Sequence, residues 1–185
     1  RFEPLWWRSG RFIALLIENG DEPLTLEQFS LLETRYPLEM ESRFHSSDAR
    51  LDAVTPLALR GLQMCAHETY MDCPYYEQLM YVGDTRLEAL TTYAISDDDR
   101  LPRKAIRLFG LSRLPDGLTQ ARYPSRDVQV IPPFALWWIG MVYDYALWRG
   151  DRAFVTALLP AVRAVLDGFL THINAENLLQ APAGW

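Results

Sequence analysis

YMDCPYYEQLMYVGD, Tyr70 to Asp84, holds three carboxylates at Asp72, Glu77 and Asp84, with tyrosines at 70, 75, 76 and 81. Pro74 suits the first turn of a helix, because its fixed φ is helical and its missing N–H costs nothing there. A helix opening near Pro74 puts Glu77, Tyr81 and Asp84 at i, i+4 and i+7, on one face. Asp72 then stands at or before the N-cap. A proton-donating acid, two further carboxylates and an aromatic wall share one surface, and sugar-cleaving sites use such parts. The plain alternative is capping, since acidic residues at a helix start satisfy N–H groups and the helix dipole.

Upstream of this stretch, Phe12–Glu18 is a short apolar run ended by Asn19-Gly20-Asp21, which reads as a strand and a turn. Leu31–Leu38 reads as a second strand closed by Pro37. From Ser46 the pattern turns helical. Ser47 or Asp48 can cap a helix whose apolar stripe is Leu51, Val54, Ala58, Leu62 and Cys65. Downstream, the helix from the acidic stretch runs to about Ala94, with Leu87, Leu90 and Ala94 inward. Asp97–Asp99 is a polar turn before a helix over Leu101–Ser112 carrying Ala105, Leu108 and Phe109. Leu114–Val130 is a loop longer than most connections, and long ordered loops are often functional. Pro133–Trp148 is apolar nearly all round and is expected to be buried on most sides. After Gly150-Asp151, Val155, Leu158, Leu159, Val162, Leu166 and Phe169 form a last stripe, and 174–185 returns to loop.

Hydrophobic residues fill 49% of the 185 positions and aromatics 12%, enough for a well-packed body. A net charge of −6 offers no basic patch for phosphates, so nucleic acid is not an expected partner. Cys65 and Cys73 are the only cysteines. They make no disulfide framework, which favours buried thiols and a reducing compartment such as the cytoplasm, although their spacing does not forbid a bridge. The run Val128–Trp148 is the membrane candidate, but Pro132, Pro133, Gly140 and Asp144 fit a buried helix better than a bilayer span. His45, His67 and His172 make no metal-ligand spacing, and no phosphate or dinucleotide motif is present, so neither metal nor cofactor is expected. A start at Arg1 and a stop at Trp185 read as a piece of a longer protein.

The acidic stretch resembles the motif of the bacterial α-L-rhamnosidases, glycoside hydrolase family 78, often D-C-P-x-x-E-x-x-x-Y/W-x-G-D. Asp72, Cys73, Pro74, Glu77, Tyr81, Gly83 and Asp84 match it. The resemblance continues in GLTQARYPS (Gly117–Ser125) and PPFALWWIGMVYDY (Pro132–Tyr145) and covers most of the chain from about Phe44. It implies a mainly α fold, the first part of an (α/α)6 barrel built of helical hairpins. On this reading residues 1–43 end a preceding β-domain and linker, with one or two strands, and 44–185 form the N-terminal half of the barrel.

The resemblance also implies inverting hydrolysis of terminal α-L-rhamnosides, with Glu77 as general acid. Two nearby carboxylates and an aromatic wall are expected to raise its pKa, by like-charge repulsion and desolvation. Asp72 and Asp84 are implied sugar-binding carboxylates; capping and a plain surface charge are their alternatives. Tyr81 takes an aromatic place where relatives often carry Trp, and its alternative is a core ring. Trp138 is a further cleft candidate against plain core packing; Arg122 and Trp185 are weaker choices. Some relatives have Arg just before the acid, where this chain has Tyr75 and Tyr76. The base, a Glu from the later barrel in this family, has no match here. The expected partners are a rhamnose-containing glycoside or oligosaccharide and the remainder of its own chain. The rival readings are a non-catalytic helical carbohydrate-binding or interaction module, and an (α/α)6 glycosidase of other sugar specificity.

Overall fold

The computed structural model describes residues 3–180, and five helices carry its architecture. Asp48 caps α1 (Ala49–Met64), its carboxylate accepting from the Arg50 N–H at 3.0 Å. Then come α2 (Val82–Ile95), α3 (Arg100–Leu111), α4 (Pro132–Arg149) and α5 (Arg152–Leu170). Proline opens α4, where the missing N–H is harmless. Gly150 ends it in the left-handed region, φ 66°, and Asp151 at once caps α5 through the Phe154 N–H at 3.0 Å. Two helical hairpins result, α2–α3 and α4–α5.

Helix α4 is the hub and packs on α2, α3 and α5. Against α2, Gly83 lets the Phe134 ring approach so closely that a Cβ would lie 2.7 Å from it. Beside it Arg86 reaches the buried Asp144 carboxylate at 2.8 Å and lies over the Trp137 ring. Against α3, Trp138 sits under Gly110, its indole N–H donating to the Ile106 carbonyl at 2.9 Å. Tyr145 meets Phe154 edge-on at 4.8 Å between α4 and α5. Arg103 joins the start of α3 to the start of α5 through Asp99 and Asp151.

The loop after α3 is ordered, with Leu118, Thr119 and Ala121 buried. Gly117, at φ 90°, lies against α5 so tightly that a Cβ would come 2.5 Å from the Ala164 carbonyl oxygen. The first 48 residues carry neither helix nor ladder among those described. The two runs expected as strands, Phe12–Glu18 and Leu31–Leu38, form no strand among the described residues, because no neighbouring strand lies alongside to build a ladder with them. The end of this arm is sewn to the helices through its backbone. Leu38 is buried, Tyr36 N–H donates to the Ala66 carbonyl at 2.7 Å, and Glu41 N–H to Ile95 at 2.8 Å.

Several expected stripes are half-covered. On α1, Leu51, Val54 and Ala58 are exposed and Leu62 alone of the stripe is buried. On α2, Leu87 and Ala94 face solvent while Val82, Thr85, Ala89, Thr92 and Tyr93 turn inward. Helix α4 buries one side and exposes Leu136, Tyr143, Leu147 and Trp148 on another. The membrane reading shifts too. Among the described helices it is α5, Arg152–Leu170, that is long and apolar enough to cross a bilayer. Its buried Phe154, Val165 and Phe169 and its internal Pro160 suit the outer member of a hairpin.

Candidate active site

The helix expected from Pro74 does not form. Residues 74–77 make a turn, Gln78 takes a positive φ of 52°, and α2 begins only at Val82 with Tyr81 as its N-cap residue. Asp72 explains this. Its N–H donates to the Leu79 carbonyl at 2.8 Å, and its Oδ1 accepts from the Leu79 N–H at 2.9 Å. The segment from Asp72 to Leu79 is therefore closed into a hook. Such side-chain bonds compete with helix for Asp and Asn. Glu77, Tyr81 and Asp84 do not share a helix face.

The hook instead gathers Asp72, Cys73 and Glu77, whose ligating atoms lie within 4.8 Å of one another. The Cys73 thiol donates to Glu77 Oε2 at 2.9 Å, and Cys73 Sγ accepts from the Glu77 N–H at 3.3 Å. Both cysteines are free and half-buried, neither bridged nor wholly enclosed. A carboxylate, a thiol and a second carboxylate can compose three corners of a metal site. Proton sharing is the simpler chemistry of this cluster.

The electrostatics reverse one expectation. Glu77 is open to solvent, and the Cys73 hydrogen bond holds its carboxyl below the ordinary range, where a raised value was expected. Asp72 goes the other way: burial raises it. Of this pair, the half-buried Asp72 is the one that resists losing its proton. Asp84 lies exposed in the first turn of α2, just past the hook.

Tyr81 is tied to the long loop. Met80 and Val82 exchange backbone bonds with Tyr123 and Ala121, and Arg122 donates to the Tyr81 hydroxyl at 3.2 Å with its guanidinium over the ring. Arg122 thus brings a positive charge to the wall of the site, whereas Tyr75 and Tyr76 stand exposed before the acid. Trp138 is corrected from cleft to core. It is 0% exposed with its N–H satisfied by Ile106, so no face is left for a ligand. Trp185 lies outside the described residues.

Glu88 is a residue that the sequence pattern did not single out. It follows Asp84 by one helical turn, and its Oε2 is buried without a hydrogen bond. Burial first, then the charges of Asp84 and Asp72, push its carboxyl up to about 9. An acid flanked by the inward Thr85, Ala89 and Thr92 was the signal that would have found it.

The family model of the bacterial alpha-L-rhamnosidase 6 hairpin glycosidase domain matches residues 39–184. Among solved structures the chain is similar to a GH78 family rhamnosidase of Bacillus sp. GL1, at 34% identity and a TM-score of 0.75, over 82% of this chain and 16% of that one. It is also similar to a rhamnosidase from Klebsiella oxytoca with rhamnose bound, at 26% identity and a TM-score of 0.69, over 76% of this chain and 28% of that one. The chain therefore spans well under two thirds of the length of either structure. No curated protein matches it.

Proposed function

Because this chain belongs to the bacterial α-L-rhamnosidase six-hairpin glycosidase family, we propose that it supplies the acid side of a site that hydrolyses terminal α-L-rhamnosides with inversion. The observation that carries this reading is the hook, which holds Glu77 out from the fold against Asp72 and Cys73. Glu77 delivers its proton to the glycosidic oxygen. Asp72 and Asp84 accept hydrogen bonds from sugar hydroxyls, and Tyr81, oriented by Arg122, walls the sugar.

An inverting mechanism needs a base about 6.5–9.5 Å from the acid, with a water between. The carboxylate atoms of Asp72 lie within 4.8 Å of Glu77, too close to leave that room. As the family resemblance implies, the base is assigned to helices that complete the barrel. The same helices would cover Glu77, remove water from it and raise its pKa towards that of a working acid. The depressed carboxyl of Glu77 in the open chain also suits the rival reading, a non-catalytic carbohydrate-binding module.

The two readings separate on Glu77→Gln in the protein with its complete barrel. General acid catalysis is worth about 10²–10⁴-fold. That loss is expected in kcat/KM for an alkyl α-L-rhamnoside. A much smaller loss is expected for an activated aryl rhamnoside, whose leaving group needs little protonation. Equal losses on both substrates, or none, would remove Glu77 from the acid role.

A further inference from the structure

We propose that Trp6 forms a leaving-group subsite, one indole face on which an aryl or pyranosyl aglycone stacks as Glu77 protonates its oxygen; this rests on the reading of Glu77 as the acid. The N-terminal arm lays a stack of three rings beside the hook. Trp7 lies on His67 at 3.8 Å between centroids, 10° from parallel, and Trp6 lies on Trp7 at 5.9 Å and 28°. His67 is rooted in the turn after α1, where its N–H donates to the Thr69 carbonyl at 3.0 Å. The stack is thus built on the fold and not on the arm alone.

The outermost ring is tied to the acid loop itself. Trp6 Nε1 donates to Gln78 Oε1 at 2.6 Å, and Gln78 Nε2 donates to the Pro74 carbonyl at 2.9 Å. Gln78 directly follows Glu77 in the hook. Trp6 nevertheless stays 52% exposed, because the stack and the hydrogen bond use only one face and one edge. A fixed aromatic ring with an open face is a preorganised stacking surface, since little side-chain freedom remains to be lost on binding.

The position selects the ligand. The acid of a glycosidase contacts the oxygen shared by the sugar and its leaving group, so a ring anchored at the acid's own neighbour is placed to meet the leaving group. Trp6 also precedes residues 39–184, the region that matches the hairpin domain. The subsite is therefore an addition by the arm to that domain. An aglycone without a ring has nothing to lay on this face.

The test uses two leaving groups of similar basicity that differ in possessing a ring, benzyl and methyl α-L-rhamnoside, with the complete-barrel protein. Trp6→Ala is expected to lower kcat/KM for the benzyl glycoside about tenfold, the order expected of one lost aromatic stack and its buried area. The methyl glycoside should be unaffected, and Trp6→Phe should keep most of the benzyl preference. Equal loss on both substrates, including complete loss, would show that Trp6 only supports the fold. No loss on either would show that nothing stacks there. Glu77→Gln is run in parallel: if it spares both glycosides the acid assignment fails, whereas an inactive Glu77→Gln beside an unselective Trp6→Ala overturns the subsite alone.

Discussion

Glu88 and Glu77 are displaced in opposite directions, the first upward by burial and the second downward by the Cys73 thiol. Glu88 keeps its proton to about pH 9 in the folded chain, against an ordinary value of 4.5. The unfolded chain releases that proton near 4.5, so the group makes stability fall as pH rises from about 4.5 to about 9. Neutral Gln has no such linkage. Glu88→Gln is expected to remove a pH-dependent loss of roughly 2–3 kcal/mol, as a ceiling, between pH 4.5 and 7. Denaturant melts of both proteins across that range test it; parallel curves would mean that Glu88 is not held neutral. Cys73 acts directly on the acid, its thiol hydrogen bond being the largest influence lowering Glu77. Cys73→Ala should move the Glu77 carboxyl upward, and a carbon NMR titration of that carboxyl reads the direction. An unmoved or lowered value would show that the thiol is a bystander.

At the scale of elements, two glycines on helices behave in opposite ways. A Cβ on Gly83 meets the Phe134 ring at 2.7 Å, in the α2–α4 interface. Gly83→Ala should therefore cost about 1–3 kcal/mol by overpacking. Gly61, inside α1, has nothing within 4 Å of its Cβ position. Gly61→Ala should stabilise by about 0.5–1 kcal/mol, through lost freedom in the unfolded chain. Thermal melts of the two variants should shift in opposite directions. The arm has its own pH dependence. The Tyr36 hydroxyl donates to Asp98 at 2.7 Å, and the Arg100 hydrogen bond, first among its causes, holds Asp98 down to about 2. A depressed carboxyl stabilises above its unfolded value of 3.8 and loses that contribution as pH falls from about 4 to about 2. Asp98→Asn should flatten the acid limb of stability by on the order of 1–2 kcal/mol. An unchanged acid limb would dismiss this tether.

At the scale of the molecule, apolar faces remain open on three helices: Leu51, Val54 and Leu57 on α1, Leu136 and Leu147 on α4, and Leu159 and Leu170 on α5. Monomeric proteins rarely present apolar faces of such extent. The 185-residue chain alone is expected to self-associate and to bind a hydrophobic dye, and to turn over no aryl α-L-rhamnoside beyond its Glu77→Gln variant. A monodisperse monomer in sedimentation that leaves the dye dark would count against the first expectation. Turnover above the variant would count against the second.

The helices after residue 46 were legible because capping and 3.6-residue periodicity are local: Asp48 and Asp151 cap, Gly150 stops, and Phe109 and Phe169 point inward. The family, and through it the hairpin fold, was legible in the resemblance carried by Asp72, Cys73, Pro74, Glu77, Tyr81, Gly83 and Asp84. The shape of the site was not. Whether Pro74 opens a helix or a turn depends on Asp72 reaching Leu79, a competition that periodicity does not weigh. Whether Glu88 is charged depends on burial by neighbours distant in sequence, and whether Trp138 faces a ligand or the core depends on which side of α4 meets α3. The two N-terminal runs have strand composition, but a strand exists only where a partner takes its hydrogen bonds, and that partner is a tertiary fact. Sequence alone determined which residue types lie along the chain and which local structures they favour. Tertiary structure decided which carboxyls meet, which are dried, and which keep their protons, because solvation and charge act through space.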